Sequence, residues 1–294
     1  YDCYEPAITV NGGVTKRIQM DSEDNFSVNW ENVQKMISQR TKMLIINTPH
    51  NPTGTILGKN DFAKLEKILK DNDQIVLLSD EVYEHIIFDG EEHQSLCLYP
   101  ELAKKAFIVY SFGKTFHATG WKMGYVLAPE HLMSEFRKVH QFNVFSCNTP
   151  MQYALADYIK DETNYIHLPD FYQKKRDLFV DLIKETKFDL IPTKGTYFST
   201  VKYHAYSDKS DMDFAEELTK KGYTLTDIIS LWTNRIDRED KRYTQSFIKN
   251  MVKTVDNTIQ EADEDKYNIV VEREMMGNED TRTKDNNDGY LYDS

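Results

Sequence analysis

Cysteine is scarce in this chain: three residues in 294, at Cys3, Cys97 and Cys147. An odd, widely spaced trio excludes both a disulfide framework and a zinc site with paired spacing, and it points to a reduced, cytoplasmic protein. Positive charge is also in short supply. Lys and Arg total 36 against 48 Asp and Glu, a net charge of −12. That balance argues against nucleic acid and anionic membrane surfaces as partners, because both require clustered basic residues. No apolar run approaches the roughly 18 residues of a membrane helix, and no charged-then-apolar leader opens the sequence. His50, His85 and His117 form no metal-ligand spacing with one another, so they are expected to be structural or supporting groups.

What is present is a core-forming α/β pattern. With 40% hydrophobic and 29% charged residues, the chain can bury a substantial core, divided between one large and one small domain. Short apolar runs at Met43–Asn47, Ile75–Ser79, Ala106–Ser111 and Gly124–Ala128 read as buried strands. Helices are expected at Asn29–Arg40, through Val33, Met36 and Ile37, and at Lys59–Lys70, through Phe62, Leu65, Ile68 and Leu69. Alternating strands and helices predict an α/β fold with a mostly parallel sheet. Met133, Phe136 and Val139 are expected to join the core, and Trp121 to pack its turn. Tyr197 and Phe198 are expected in a strand of the smaller domain.

In such sheets, ligands sit beyond the carboxyl ends of the strands. The unusual residues cluster at those ends. Asn47-Thr-Pro-His-Asn-Pro-Thr-Gly54 follows the first strand, Asp80-Glu-Val-Tyr83 the second, and Ser111-Phe-Gly-Lys114 the third. Singly, each has a plainer reading: a loop rich in turn formers, a helix cap at Asp80, a solvated lysine at Lys114. Their joint placement is what suggests a site.

The residue types suit pyridoxal phosphate. That cofactor requires a lysine amine, for which Lys114 is the candidate, and a carboxylate against its pyridine nitrogen, for which Asp80 is. Its phenolic oxygen requires hydrogen-bond donors, available from Asn51 and Tyr83. Its phosphate requires small donors and a cation, available from Ser111 and Lys122. Once a substrate proton leaves, the freed Lys114 is placed to return it.

Four ordered motifs carry a family likeness: Asn47–Gly54, Ser79-Asp-Glu-Val-Tyr-Glu-His85, Ser111-Phe-Gly-Lys-Thr-Phe-His-Ala-Thr-Gly-Trp-Lys-Met-Gly-Tyr125 and Lys194-Gly-Thr-Tyr-Phe198. With Asp2-Cys-Tyr-Glu-Pro6, they resemble the fold-type I pyridoxal-phosphate-dependent aminotransferases of the class I/II superfamily. The resemblance spans about residues 1 to 222 and is strongest to the methionine aminotransferase and kynurenine/glutamine transaminase branch. It implies the aspartate aminotransferase-like fold, a mostly parallel sheet sandwiched by helices plus a partial small α+β domain. It implies Lys114 as the Schiff-base lysine and Asp80 as the pyridinium partner. Asn51 and Tyr83 would bind the phenolic oxygen, and Ser111 and Lys122 the phosphate, lysine at that last position being usual for this branch. The activity implied is transfer of an amino group from a methionine-, glutamine- or aromatic-type amino acid to a 2-oxo acid, by a homodimer.

The same resemblance sets out departures. The family's substrate-binding glycine, its phosphate-binding glycine loop and its ring-stacking aromatic precede the stretch matched at Tyr1. After Gly222 the pattern is lost, and neither Arg235 nor Arg242 is assignable as the distal carboxylate-binding arginine. The expected organisation is a partial large domain over 1–150, a linker helix and partial small domain over 151–222, a non-matching helical segment over 223–260, and an acidic tail over 261–294. That tail holds eleven acids against four bases and is expected to be disordered and solvated. On this resemblance, an open sheet edge and a poorly soluble polypeptide are expected of these residues alone. A carbon–sulfur β-lyase or aminocyclopropane-forming synthase on the same fold, and an inactive truncated aminotransferase, are the other readings.

Overall fold

The computed structural model describes residues 1–184 and 186–220. The chain divides into a unit of residues 1–208 and a second of residues 209–294. The helix expected within 223–260 and the acidic stretch 261–294 lie outside the described residues.

The first unit is organised by a four-stranded sheet in the order β1 (Met43–Asn47), β2 (Val76–Asp80), β3 (Ala106–Ser111), β4 (Gly124–Leu127). The first three strands run parallel, and β4 pairs antiparallel with β3. The mostly parallel sheet expected from the apolar runs is therefore present, with an antiparallel strand at one edge. Asn47 stands opposite Asp80, and Asp80 opposite Val109, so β1 and β2 end level and β3 runs two residues further, to Ser111. Alternation along the pleat divides each strand between two faces. Leu77 and Ser79 of β2 and Ala106, Ile108 and Tyr110 of β3 are buried on one face, while Asp80, Val109 and Ser111 are half-buried on the other.

The buried face packs against α2 (Trp30–Met36), α3 (Lys59–Lys70) and the short α4 (Pro100–Ala103). In α3 the apolar positions recur at helical spacing, and Phe62, Leu65, Ile68 and Leu69 are all buried. Phe62 and Leu65 are wholly removed from water, each contributing about 1.5–3 kcal/mol. Asp61 fastens the start of the helix, accepting from the Gly58 amide at 2.9 Å and from the Trp30 indole at 2.8 Å. The α2 helix is shorter than its expected span to Arg40. Ile37 turns extended, and the Ser38 amide bonds the Thr41 hydroxyl, which ends the helical ladder.

The remaining elements of this unit are α1 (Tyr4–Val10), α5 (Phe112–Thr115), α6 (Glu130–Asn143), α7 (Thr149–Tyr158), α8 (Leu168–Ile183) and the two-stranded pair β5 (Asp189–Leu190) and β6 (Val201–Lys202). The α6 helix corrects one expectation, for none of its residues is buried. Phe136 meets Phe107 with ring centroids 6.1 Å apart, but Val139 faces outward, and Trp121 is 47% exposed. The apolar spacing of α6 is real, yet the sheet covers only part of that stripe. In the second unit, the described element is α9 (Asp211–Lys220), with the Ser210 hydroxyl accepting from the Asp213 amide at 3.2 Å.

Three loops beyond the strand ends are tied by backbone bonds. The Gly54 carbonyl accepts from the Lys194 and Gly195 amides at 3.1 and 3.0 Å. The Lys194 carbonyl accepts from Phe88, and the Ile86 carbonyl from Thr196, at 2.9 and 3.0 Å. Gly54 is required here. Its φ is +70°, and a Cβ would stand 2.2 Å from Thr193 Cγ2 and 2.7 Å from the Gly195 carbonyl oxygen. Arg176 of α8 secures the same junction. It bonds the Asp89 carboxylate at 2.9 Å and the Thr193 carbonyl at 2.8 Å, with its guanidinium 4.9 Å from the Phe88 ring centroid.

Candidate active site

The tied loops bring four side chains from distant positions to the carboxyl ends of the strands. Lys114 lies in α5, immediately past β3. Gly113 permits that turn, since a Cβ there would meet the Thr119 Cα at 2.9 Å. The Lys114 ammonium donates to the Tyr197 hydroxyl at 3.0 Å. It also lies 5.6 Å from the centroid of the Tyr83 ring and 5.7 Å from that of Tyr197, within cation–π range. The Asn51 amide donates to the Tyr83 hydroxyl at 3.4 Å, and Tyr83 donates to Tyr197 at 3.5 Å. Tyr197 and Phe198 therefore occupy a loop packed on Tyr83, not the strand expected for them. The backbone bonds of this segment go to Gly54 and Ile86 rather than to a neighbouring strand.

Asp80 is fixed by its surroundings. The Asn47 amide donates to its carbonyl at 2.9 Å, and the Val82 amide to its carboxylate at 3.3 Å. The second contact caps a turn rather than a helix. The Tyr4 hydroxyl donates a hydrogen bond to the same carboxylate. Burial, then the Asp80 charge and this bond, push the Tyr4 hydroxyl above its ordinary range, so it stays a donor. Tyr83 is likewise raised, first by burial, then by Tyr197 and more weakly by the Asp80 charge. Asp80 thus shares its surroundings with Tyr83 as well as with Tyr4. Tyr4 was not singled out in the sequence, where its only signal was its place in Asp2-Cys-Tyr-Glu-Pro6.

Ser111 and Lys122 are at the same end of the sheet. Ser111 pairs with Gly124, and Lys122 stands two residues before Gly124, exposed, at φ +53°. Neither side chain makes a hydrogen bond or ion pair among the described residues. Ser111 lines a cleft of about 490 Å³ with Glu84, His85, Thr115, Tyr125 and Tyr165. His50 bonds Thr53 at 2.8 Å and His117 bonds Tyr172 at 3.1 Å. Among the described residues, no group of His, Cys, Asp and Glu could hold a metal ion, and no helix is long and apolar enough to cross a membrane.

Residues 1–236 match the family of class I and II aminotransferases. The chain belongs to that family. It is 45% identical over 222 residues to methionine aminotransferase of Escherichia coli, covering 75% of this chain and 57% of that protein. It is 32% identical to human kynurenine–oxoglutarate transaminase 1 over 67% of this chain and 51% of that one. The solved structure of Escherichia coli YbdL, identified as a methionine aminotransferase, aligns with a TM-score of 0.71 over 74% of this chain and 58% of its own. Aromatic aminotransferase from Pyrococcus horikoshii aligns at 0.70, with 30% identity, over 75% of this chain and 59% of its own. The chain thus spans little more than half the length of these relatives. Class I and II aminotransferases of this fold use pyridoxal 5'-phosphate. The donor set here fits that group: an amine, an amide and two hydroxyls gathered above the strand ends, with a hydrogen-bonded carboxylate beside them.

Proposed function

We propose that the protein containing this chain is a pyridoxal-phosphate-dependent aminotransferase. It transfers an amino group from an amino acid of the methionine, glutamine or aromatic type to a 2-oxo acid, as a cytoplasmic homodimer. The observation that carries this reading is the meeting of Lys114, Tyr83, Tyr197 and Asn51 at the strand ends, beside Asp80. Three of the relatives' names, a methionine aminotransferase, a kynurenine–oxoglutarate transaminase and an aromatic aminotransferase, support the substrate class. The large apolar side chains exposed along and after α6 support self-association. On this reading residues 1–150 belong to the large cofactor domain and 151–222 to a linker helix and small domain.

Each residue has a defined task. Lys114 would supply the amine that holds the cofactor through its carbonyl carbon, and its free amine would be the group that carries the proton at the substrate's α-carbon. Asp80, oriented by Tyr4, would hold the ring nitrogen and keep it protonated. The Asn51 amide and the Tyr83 hydroxyl would donate to the phenolic oxygen, and Ser111 and Lys122 would hold the phosphate. Pyridoxal phosphate, when bound, supplies the electron sink that makes the α-proton acidic.

Titrating the purified protein with pyridoxal phosphate tests this. A visible absorption band is expected that disappears in Lys114→Ala, together with conversion of a 2-oxo acid to its amino acid. Absence of any lysine-dependent band overturns the reading. Release of pyruvate and ammonia in place of transfer replaces transamination with lyase chemistry.

A further inference from the structure

Glu81 follows Asp80 in sequence but points the opposite way. Period-2 alternation carries Asp80 to the site face and Glu81 to the core face, where Glu81 is 0% exposed. Its carboxylate is filled on both oxygens. Oε1 accepts from the Ser79 hydroxyl at 2.8 Å and the Leu96 amide at 3.0 Å. Oε2 contacts His93 Nε2 at 2.8 Å and accepts from the Tyr110 hydroxyl at 3.1 Å. Burial alone would raise this carboxyl, but the hydrogen bonds from His93, Leu96 and Ser79 hold it below the ordinary range. A buried carboxylate with every acceptor site used is costly to disturb and geometrically exact in what it holds.

What it holds is the seam between β2 and β3. Tyr110, the donor from β3, is the residue immediately before Ser111. The backbone ladder continues to the same level, with the Glu81 amide donating to the Val109 carbonyl at 2.9 Å. Ser95 bonds the Tyr110 hydroxyl at 2.9 Å from the adjoining turn. Beneath the site, then, Glu81 and Tyr110 are fastened to each other. On the opposite face of the sheet, their chain neighbours Asp80 and Ser111 are both half-buried.

We propose that Glu81 is a positioning residue, with Tyr110 as its partner: their buried bond sets the separation of Asp80 and Ser111. Resting on the function proposed above, that separation matches the ring-nitrogen anchor to the phosphate anchor, so one rigid ligand engages both. Glu81 touches neither substrate nor cofactor and acts through the backbone of the two strand ends.

The test uses Tyr110→Phe, which removes the hydroxyl and keeps the ring stacked on Tyr125 at 4.7 Å. Glu81→Gln is the second variant, and Leu65→Val, on α3 in the same core but with no part in the Glu81 hydrogen bonds, is the control. Amide hydrogen exchange without cofactor is read first. Exchange at the Glu81 amide is expected to quicken about tenfold in the first two variants, relative to core amides, and not in the control. Affinity for pyridoxal phosphate is then compared with affinity for pyridoxal, which lacks the phosphate. A spacing role predicts a loss of about tenfold for the phosphate form and less than about twofold for pyridoxal. Equal losses for both ligands, or unchanged exchange at Glu81, overturn the proposal. If the unaltered protein forms no Lys114-dependent band, the functional reading fails, and the exchange measurement alone decides whether the seam is held by Glu81.

Discussion

The Lys114 ammonium donates to the Tyr197 hydroxyl at 3.0 Å, joining residues 83 apart in the chain. Tyr197 also receives the Tyr83 hydroxyl, so one phenol links the lysine to the group expected at the cofactor's phenolic oxygen. Tyr197→Phe removes that link and leaves the rings in place. Turnover is expected to fall about tenfold, matching roughly 1.4 kcal/mol for one lost hydrogen bond. Stability should change by less than about 1 kcal/mol, because Tyr197 is 39% exposed. Steady-state kinetics beside a urea melt measures both, and unchanged turnover would remove Tyr197 from the site.

Gly54 joins the loop carrying Asn51 to the loop carrying Tyr197. A side chain there meets a left-handed backbone and two contacts closer than 3 Å, to Thr193 and Gly195. Gly54→Ala is therefore expected to cost roughly 2–4 kcal/mol. Chemical denaturation gives the number. A cost below about 1 kcal/mol would mean the three-loop junction yields easily and does not fix the site.

The strands and α3 were legible because their apolar residues repeat at periods set by local geometry. Asp80, Asn51, Tyr83 and Lys114 were legible because motifs placed them at strand ends. The loop position of Tyr197 was not, since the backbone partners of the preceding Lys194, Gly195 and Thr196, which are Gly54 and Ile86, are fixed only by tertiary structure. Glu81 carries no motif signal of its own beside Asp80, although strand alternation alone separates two adjacent acids onto opposite faces. On α6 the helical period is present but the burial it suggests is not, because a period reports a stripe and not what covers it.

Arg176 gives a third expectation. Its side chain is 12% exposed, and it supplies the donor for the Thr193 carbonyl while pairing with Asp89. Arg176→Ala leaves that carbonyl without its donor and Asp89 without its cation, for an expected loss of about 1–3 kcal/mol. Arg176→Lys should recover less than half of it, since an ammonium cannot hold both partners in one plane. Full rescue by lysine, seen in paired thermal melts, would show that charge alone matters.

Glu84 makes stability depend on pH. Burial pushes its carboxyl up to about 7, over smaller opposing effects from His93 and from the Tyr125 hydroxyl, which donates at 3.3 Å. The folded value lies above the unfolded one of about 4.3, so folding favours the protonated acid. That contribution is complete below about pH 4.3 and is lost as pH rises through 7. Glu84→Gln stays neutral throughout and should gain on the unaltered protein between pH 5 and 8, by roughly 2–3 kcal/mol at the upper end. Urea midpoints at the two pH values decide it: parallel shifts in both proteins would show that Glu84 ionises freely.

The exposed apolar residues around the end of α6 give the last expectation. Phe142 is 85% exposed and Phe145 81%, and α6 buries none of its residues. Side chains that contribute nothing to the core of one copy are free to be replaced without unfolding it. The pair Phe142→Ser and Phe145→Ser should therefore alter stability by less than about 1 kcal/mol. If the surface joins two copies, the same pair removes apolar area from both sides of a self-complementary interface, so each lost contact counts twice. Sedimentation velocity over a range of concentrations should show the double variant dissociating at concentrations where the unaltered protein remains associated. Identical sedimentation of the two would rule out this surface as a contact between copies.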